Sequence, residues 1–325
     1  QPLDRGVIGA ARGVGGRQLQ ALALGILLHG DERILDVGEG RDDLLVVELQ
    51  QFGVASALQV ELPLQVATVE QRLREPWDRP TGADVGRVRV EPTATAQYVA
   101  HLLSTTDQSL AGLRVVVDCA NGAASGIGPE VLRRAGAEVI AIHASPDGIN
   151  INEGCGSTHM ADLTHAVLEH KAHAGIAHDG DADRCLAVDA DGVLVDGDHI
   201  LAILATAMSR SGDLAGNTVV ATVMANLGFK IAMEAEGINV VETGVGDRYV
   251  LEAMRADAYV LGGEQSGHVV MSEYATTGDG VLTALHLLAE VARSGRSLAD
   301  LANAVTMLPQ VLINVKGVDR RALSN

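Results

Sequence analysis

The sequence predicts an α/β fold made of consecutive domains. Short β-branched runs alternate with amphipathic segments over residues 111–308, which is the pattern of a sheet covered by helices. The chain has 325 residues, enough for two or three domains of roughly 100–200 residues each. With 47% apolar and 20% charged residues, the composition favours a buried core and argues against wholesale disorder.

Charge and cysteine content exclude several classes of partner. The net charge of −18, from 42 acidic and 24 basic residues, disfavours binding to phosphate backbones and anionic lipid, so we expect neither nucleic acid nor a membrane as partner. The cysteines Cys119, Cys155 and Cys185 form no C-x-x-C pair, so we predict no disulfide framework and a reducing, cytoplasmic location. No run approaches the ~20 apolar residues of a membrane span.

The N-terminal stretch differs from the rest of the chain. Residues 1–78 contain no lysine and show no sustained helical or alternating apolar pattern. Pro76, Pro80 and Gly82 mark an irregular connection, after which apolar residues at helical spacing predict a helix over 95–104. Because the chain begins with Gln1 and stops without a closing element, we expect a fragment of a longer protein.

The first α/β unit is predicted over residues 111–212. It opens with the β-branched run LRVVVD, and a turn, a helix and a second apolar run follow, which predicts a parallel pair of strands. We predict strands over 113–118, 138–142, 174–177 and 185–188, and helices over 129–135, 160–170 and 198–209.

A polar break over 211–217 precedes the second α/β unit, residues 213–310. The same alternation of apolar runs and helical patterns recurs there. Within this second unit we predict strands over 218–222, 239–242 and 259–262, and helices over 227–236, 248–256 and 281–294. After it, residues 311–325 are predicted to begin a linker to a further domain, with a strand over 311–315.

The segment HDGDADR at 178–184 is the strongest local signal for chemistry. Asp179, Asp181 and Asp183 alternate with small residues in a tight loop between two apolar runs, so all three carboxylates can converge. Three like charges a few ångströms apart raise one another's pKa unless a cation is present, and oxygen-only ligands suit Mg²⁺ or Mn²⁺. An acidic surface turn is the alternative. An EF-hand is excluded, since Arg184 stands where that motif needs glycine.

The segment GGEQSGH at 262–268 is a second candidate. Glu264 and Ser266 could hold neighbouring hydroxyls of a sugar, and His268 could move a proton near neutral pH. A glycine-rich turn with a hydrogen-bonded histidine would account for the same residues.

Two further residues have both a functional and a simple structural interpretation. Arg184 follows the third aspartate, where a guanidinium could stabilise the charge on a phosphoryl group or simply pair with an aspartate. Asp247 lies in the loop GVGDR at the predicted start of a helix, where capping alone would explain a carboxylate.

Seven segments, taken in order, carry a family resemblance. VVVDCANGAAS, DGININ, DGDADR, DGD, VGDRYV, GGEQSGH and TTGDG together resemble the α-D-phosphohexomutase family, in particular its bacterial phosphoglucosamine mutases. The resemblance implies phosphohexomutase-type three-layer α/β domains with mixed sheets. Residues 1–110 would then be an atypical remnant of domain I with a linker, 111–212 domain II, 213–310 domain III, and 311–325 the start of the linker to domain IV.

The resemblance also implies an activity and a site. In the family, an enzyme phosphoserine donates its phosphoryl group to a hexose phosphate, and the bisphosphate formed returns the other one. For this branch it implies an isomerase that interconverts glucosamine 6-phosphate and glucosamine 1-phosphate for peptidoglycan precursors, with a hexosamine phosphate as substrate. The roles carried over are Mg²⁺ ligands (Asp179, Asp181, Asp183), catalytic residues (Arg184, His268) and substrate-binding residues (Asp247, Glu264, Ser266).

The chain departs from the family in its N-terminal region. Only one serine, Ser56, and one histidine, His29, precede His101, and they lie far apart, so no phosphoserine loop can be assigned. Three alternatives stay open beside the leading prediction: a phosphomannomutase or phosphoglucomutase, a non-catalytic module that binds sugar phosphate or metal, and a product without a stable fold. The oligomeric state also stays open.

Overall fold

The computed structural model describes residues 80–311 continuously, together with residues 8–9, 33–36, 46–47 and 72. The short N-terminal pieces pair with one another and with the start of the continuous part. β1 (Ile8–Gly9) is antiparallel to β3 (Val46–Val47), and β2 (Arg33–Asp36) is antiparallel to β4 (Arg87–Val90). Most of the predicted domain I remnant, with His29 and Ser56, lies outside the described residues, and so do residues 312–325.

The first unit is built on a five-stranded mixed sheet with the order β6-β5-β7-β8-β9. β5 pairs in parallel with β6 and β7, whereas β7, β8 and β9 pair antiparallel. The strands are β5 (Arg114–Asp118), β6 (Glu138–Ile142), β7 (Ala174–Ala177), β8 (Leu186–Asp189) and β9 (Leu194–Val195).

Helices cover both faces of this sheet, which gives three layers. Because side chains alternate along a strand, Val115 and Val117 of β5 enter one core while Val116 enters another with Leu163 and Val167. The helices are α1 (Ala94–Ser104) and α2 (Ala124–Arg134) on the first face, and α3 (Ala161–His170) on the second.

The second unit repeats this plan on a four-stranded mixed sheet with the order β11-β10-β12-β13. The pairs β10–β11 and β10–β12 are parallel, and β12–β13 is antiparallel. Its strands are β10 (Thr218–Thr222), β11 (Asn239–Thr243), β12 (Leu261–Gly263) and β13 (Val269–Met271), and its helices are α4 (Gly197–Ser211), α5 (Leu227–Ala235), α6 (Asp247–Ala256), α7 (Gly280–Ser294) and α8 (Leu298–Ala302).

The two units share one hydrophobic core. α7 of the second unit packs against α1 and α2 as well as against α4, and the same cluster of buried residues runs from Val99 to Val305. The opposite face of the second sheet has its own small cluster, in which Val220 meets Val250 and Met254 of α6. None of the helices in the described ranges is both long and apolar enough to cross a bilayer.

The predicted α/β class with three layers and mixed sheets is confirmed. The strands predicted over 138–142, 174–177 and 218–222 have those same bounds in the structure. The prediction of a helix over 129–135 is wrong at its start, since α2 begins at Ala124. β9, β13 and α8 were not predicted. The predicted domain bounds stay predictions. The helix α4 lies within the range predicted for the first unit, 111–212, but it packs on the sheet of the second unit.

Candidate functional site

The acidic loop connects β7 and β8, two buried antiparallel neighbours in the first sheet. Ala182 adopts a left-handed backbone conformation with φ of 58°, which lets the loop turn back on itself. One carboxylate oxygen each from Asp179, Asp181 and Asp183 lies within 4.8 Å of the other two. The structure therefore brings the three predicted ligands together.

Burial and mutual repulsion both disfavour ionising these carboxylates together. Burial, reinforced by Asp179 and Asp181, raises the pKa of Asp183 to about 8. The pKa of Asp181 is raised as well, first by burial and then by Asp179. Asp183 Oδ1 is buried, and within the described ranges it accepts no hydrogen bond. An all-oxygen set that repels itself and leaves a buried oxygen without a donor fits a divalent cation.

Arg184 lies at the edge of this loop, where its position is compatible both with pairing to an aspartate and with contact to an anionic ligand. Its Nε is 3.5 Å from Asp179 Oδ2 and 3.7 Å from Asp183 Oδ1, so it pairs with the aspartates. Its side chain is 41% exposed, so the guanidinium also remains accessible to an anionic ligand. The backbone N–H of Arg184 donates to Asp179 Oδ1 at 3.2 Å, which ties the two ends of the loop together.

His178 supports the loop from below and was not predicted as a functional residue. It is fully buried, and burial lowers its pKa, so the ring is neutral near pH 7. Its Nδ1 lies 3.1 Å from the carbonyl oxygen of Arg184, which requires the Nδ1–H tautomer. The sequence shows a histidine directly before Asp179, but its position gives no indication of this supporting role.

The N-terminus of α7 closes the loop from the second unit. The N–H of Gly280 donates to the carbonyl oxygen of Ala182 at 2.8 Å, and a Cβ at Gly280 would lie 2.1 Å from the oxygen of Arg184. Asp279 caps the helix by accepting from Leu282 N. This end of a helix carries partial positive charge, which favours acidic groups beside it.

The predicted sugar loop forms the tight turn between β12 and β13. Gly267 N–H donates to the oxygen of Glu264 at 3.0 Å, and Gly267 has the left-handed φ of 93° that the turn needs. The Glu264 side chain accepts from Gly246 N–H at 3.0 Å and from Ser266 Oγ at 3.4 Å. Glu264 and Ser266 therefore lie side by side, and the loop that carries Asp247 is attached to them.

His268 is the point where the two loops meet. It forms a β-bridge with Arg184, and Cys185 N–H donates to the oxygen of Gly267 at 2.9 Å. His268 Nε2 lies 3.8 Å from Asp183 Oδ2, and burial lowers the pKa of the ring. Its Nδ1 is buried and makes no hydrogen bond within the described ranges. The ring is therefore not the fully hydrogen-bonded histidine of a purely structural glycine-rich turn.

Asp247 is exposed and is the first residue of α6. Gly246 occupies the capping position with φ of 130°, and Asp247 lies one residue further on, inside the first turn of the helix. Its carboxylate accepts from the neighbouring N–H of Arg248 at 2.7 Å. Its negative charge partly offsets the effect of burial on the pKa of His268.

Comparisons with known proteins agree with this arrangement. Residues 96–192 match the model of phosphoglucomutase/phosphomannomutase α/β/α domain II, and residues 196–307 match that of domain III. The chain is 66% identical over 252 residues to the phosphoglucosamine mutase of Acidothermus cellulolyticus, a match that covers 78% of this chain and 55% of that protein. The chain thus spans about half the length of the curated relatives it matches.

Two solved structures share the fold. A phosphoglucomutase/phosphomannomutase family protein from Burkholderia thailandensis has a TM-score of 0.61 at 23% identity, covering 74% of this chain and 52% of that one. The N-acetylphosphoglucosamine mutase of Aspergillus fumigatus, solved with GlcNAc-6P and magnesium, has a TM-score of 0.54 at 19% identity, covering 76% and 55%. From its two matched domains and its close relatives, the chain belongs to the phosphoglucomutase/phosphomannomutase family of α-D-phosphohexomutases.

Proposed function

We propose that this chain provides the metal-binding and sugar-binding domains of a phosphoglucosamine mutase, which interconverts glucosamine 6-phosphate and glucosamine 1-phosphate. One observation carries the proposal: the convergent carboxylates of the acidic loop are joined through Arg184 and His268 to the Glu264–Ser266 turn. A cation site beside a pair of hydroxyl-binding groups suits a phosphorylated sugar. A cytosolic location goes with this proposal.

Asp179, Asp181 and Asp183 would hold Mg²⁺, because their oxygens converge and Asp183 Oδ1 lacks a hydrogen-bond donor within the described ranges. When bound there, Mg²⁺ would neutralise negative charge on the oxygens of a phosphoryl group. The same ion would remove the repulsion that raises the pKa of Asp183.

The residues around the acidic loop would each bind or orient part of the substrate. Arg184, exposed on one side, would donate to phosphoryl oxygens. Glu264 would accept from one sugar hydroxyl, and Ser266 would contact its neighbour. His268, neutral because it is buried, would accept a proton at a nitrogen facing the site. Asp247 would contact the substrate from the rim.

A non-catalytic module that binds sugar phosphate is the second candidate. It is favoured by one observation, namely that Ser56 is the only serine before His101 and lies far from His29, so no phosphoserine loop is recognised there. Transfer in two steps requires such a donor, whereas binding requires only the two loops.

A combined binding and turnover experiment separates these two functions. Calorimetry with Mg²⁺ and glucosamine 1-phosphate, run beside a turnover assay primed with a hexose bisphosphate, should give binding and turnover for a mutase. Binding without turnover would favour the module. The variant Asp181→Asn is the control, because it removes one carboxylate of the proposed Mg²⁺ set and should weaken Mg²⁺-dependent binding. Absence of binding by the unsubstituted chain would contradict both candidates.

The sugar preference needs its own comparison. Glucosamine 1-phosphate should bind more tightly than mannose 1-phosphate and glucose 1-phosphate under the same conditions. Equal or tighter binding of either competitor would instead favour a phosphomannomutase or phosphoglucomutase.

A further inference from the structure

A second group of metal-ligating side chains lies at the carboxyl edge of the first sheet, outside the acidic loop. Asp118 is the last residue of β5, His143 directly follows β6, and Cys155 lies in the connection before α3. One donor atom from each of these side chains lies within 4.8 Å of the other two. None of the three has a role in the proposed mutase site.

Asp118 is fully buried and keeps one acceptor position free. Its Oδ1 accepts from Ala120 N–H at 2.9 Å, and its Oδ2 accepts from Gly156 N–H at 2.9 Å. A carboxylate oxygen has two lone pairs, so Oδ2 can accept once more. His143 Nδ1 lies 3.1 Å from this oxygen.

His143 is oriented as a metal-binding histidine usually is. Its Nε2 lies 3.2 Å from Asp162 Oδ2, within ion-pair distance of that carboxylate. In the Nε2–H tautomer Nδ1 presents a lone pair, and this buried atom makes no hydrogen bond of acceptable geometry within the described ranges. In zinc sites a histidine commonly binds the metal through one ring nitrogen while its other nitrogen faces a carboxylate.

Cys155 completes the group with a soft donor. Its side chain is fully buried, and its Sγ is 4.0 Å from Asn121 Nδ2, which is at best a weak contact. Burial raises the pKa of this thiol, so without a metal it stays protonated. A divalent ion would displace the proton and bind the thiolate.

We propose that Asp118, His143 and Cys155 form a Zn²⁺ site that is separate from the acidic loop. Sulfur, nitrogen and oxygen donors together favour zinc and disfavour Mg²⁺, which prefers oxygen ligands alone. The 3.1 Å between Asp118 Oδ2 and His143 Nδ1 is close to the edge of about 3.3 Å of a tetrahedron with zinc bonds of roughly 2.0–2.1 Å. Water would take the fourth position on the His143 side, where the side chain is 27% exposed.

The binding step balances without an oxidant or reductant. Zn²⁺ enters, the Cys155 thiol releases one proton to solvent, and the Zn–S bond replaces the S–H bond. The ion with one thiolate, one carboxylate and a neutral imidazole has no net charge, which compensates the buried Asp118 carboxylate. The competing arrangement has no metal, with His143 lying between the carboxylates of Asp118 and Asp162.

Cobalt substitution tests the proposal directly. The full 325-residue chain, stripped of metal with a chelator, should bind Co²⁺ so that one equivalent gives a thiolate-to-cobalt charge-transfer band in the near ultraviolet. Zn²⁺ should displace the Co²⁺ and abolish the band. The variant Cys155→Ala should lose the band and bind Zn²⁺ at least about tenfold more weakly, whereas Cys185→Ala, at another buried cysteine, should retain both.

Two further variants keep the test decisive if Cys155→Ala fails to fold. Asp162→Asn changes a side chain that is 64% exposed, so folding should be unaffected, and Zn²⁺ affinity should fall by about 10–100-fold. Asp181→Asn, in the acidic loop, should leave Zn²⁺ affinity and the cobalt band unchanged. A chain that binds no Zn²⁺, or whose Zn²⁺ binding depends on Asp181 and not on Cys155 or Asp162, would overturn the proposal and favour the metal-free arrangement.

Discussion

Asp183 is the residue whose charge depends most on its surroundings. Its pKa is raised to about 8 by burial and by the two other carboxylates of the loop. The number of protons on the loop therefore changes near neutral pH, and any cation that binds there must displace one. Metal affinity and stability without metal should both depend on pH through this residue, in ways that can be measured separately.

Mg²⁺ affinity should rise with pH up to about 8, the pKa of Asp183 in the metal-free chain. Below that value binding releases one proton, which gives a gain of up to about tenfold per pH unit. Calorimetry in buffers of different ionisation enthalpy measures the released proton. The variant Asp183→Asn should bind more weakly and release none. An affinity that is flat between pH 6 and 8 would contradict this prediction.

The stability of the metal-free chain should fall as pH rises. A carboxyl whose folded pKa lies above its unfolded value of 3.8 binds more protons when folded, so its contribution is complete below that value and is lost as pH rises to about 8. At pH 8 without metal, Asp183→Asn should therefore be more stable by about 1–3 kcal/mol. Urea denaturation measures the difference. A less stable variant under those conditions would refute the prediction.

At the scale of elements, the longer strands were predictable from the sequence, whereas the shortest strands and the start of α2 were not. β7 and β10 are buried runs of four and five residues, and β6 is a mostly half-buried run of five, long enough for their apolar character to show in the sequence. β9 has two residues and β13 three, too few for a pattern. The start of α2 was misplaced because Gly126 and Gly128 are local turn signals that packing on the sheet outweighs.

The candidate site was predictable for a related reason. The acidic trio lies within five consecutive positions, so its convergence follows from local chain geometry. The contact between Arg184 and His268 joins residues far apart in the sequence, and only the packing of the two units brings them together. The contact of Gly280 with the acidic loop was missed for the same reason. The contact of His178 with Arg184 is local, and it was missed because the aspartates and not the histidine carry the metal-binding pattern.

The contact between α7 and the acidic loop should tolerate no side chain at Gly280. A Cβ there would lie 2.1 Å from the backbone oxygen of Arg184, so Gly280→Ala must displace the loop. We expect a loss of stability of about 1–3 kcal/mol and weaker Mg²⁺ binding. Gly126→Ala is the matched control, because that helical glycine has no atom within 4 Å of the added Cβ and should gain about 0.5–1 kcal/mol. Thermal denaturation with and without Mg²⁺ measures both, and equal effects of the two substitutions would contradict the contact.

At the scale of the whole molecule, the two units should unfold together. α7 contacts helices of both units, and one buried cluster contains side chains from both sheets. A shared core couples the two halves, since neither can lose its packing without exposing the other. The sequence showed two units of ordinary domain size, but it contained no sign that they share a core.

Leu285 of α7 provides the test. It is fully buried in the shared cluster, so Leu285→Ala should cost about 2–5 kcal/mol and lower a single calorimetric transition without splitting it. Amide exchange in β5 and β10 should accelerate by the same factor. Leu168→Ala, at a side chain that is 51% exposed on α3, should change stability by less than about 0.5 kcal/mol. Two separate transitions would show that the units fold independently.

The backbone hydrogen bond from Cys185 to Gly267 joins the acidic loop to the sugar loop directly, with no flexible side chain between them. A ligand that contacts both loops therefore meets a preorganised surface and need not immobilise two mobile segments when it binds. Little conformational entropy should be lost at this junction, so more of the contact energy is retained as affinity.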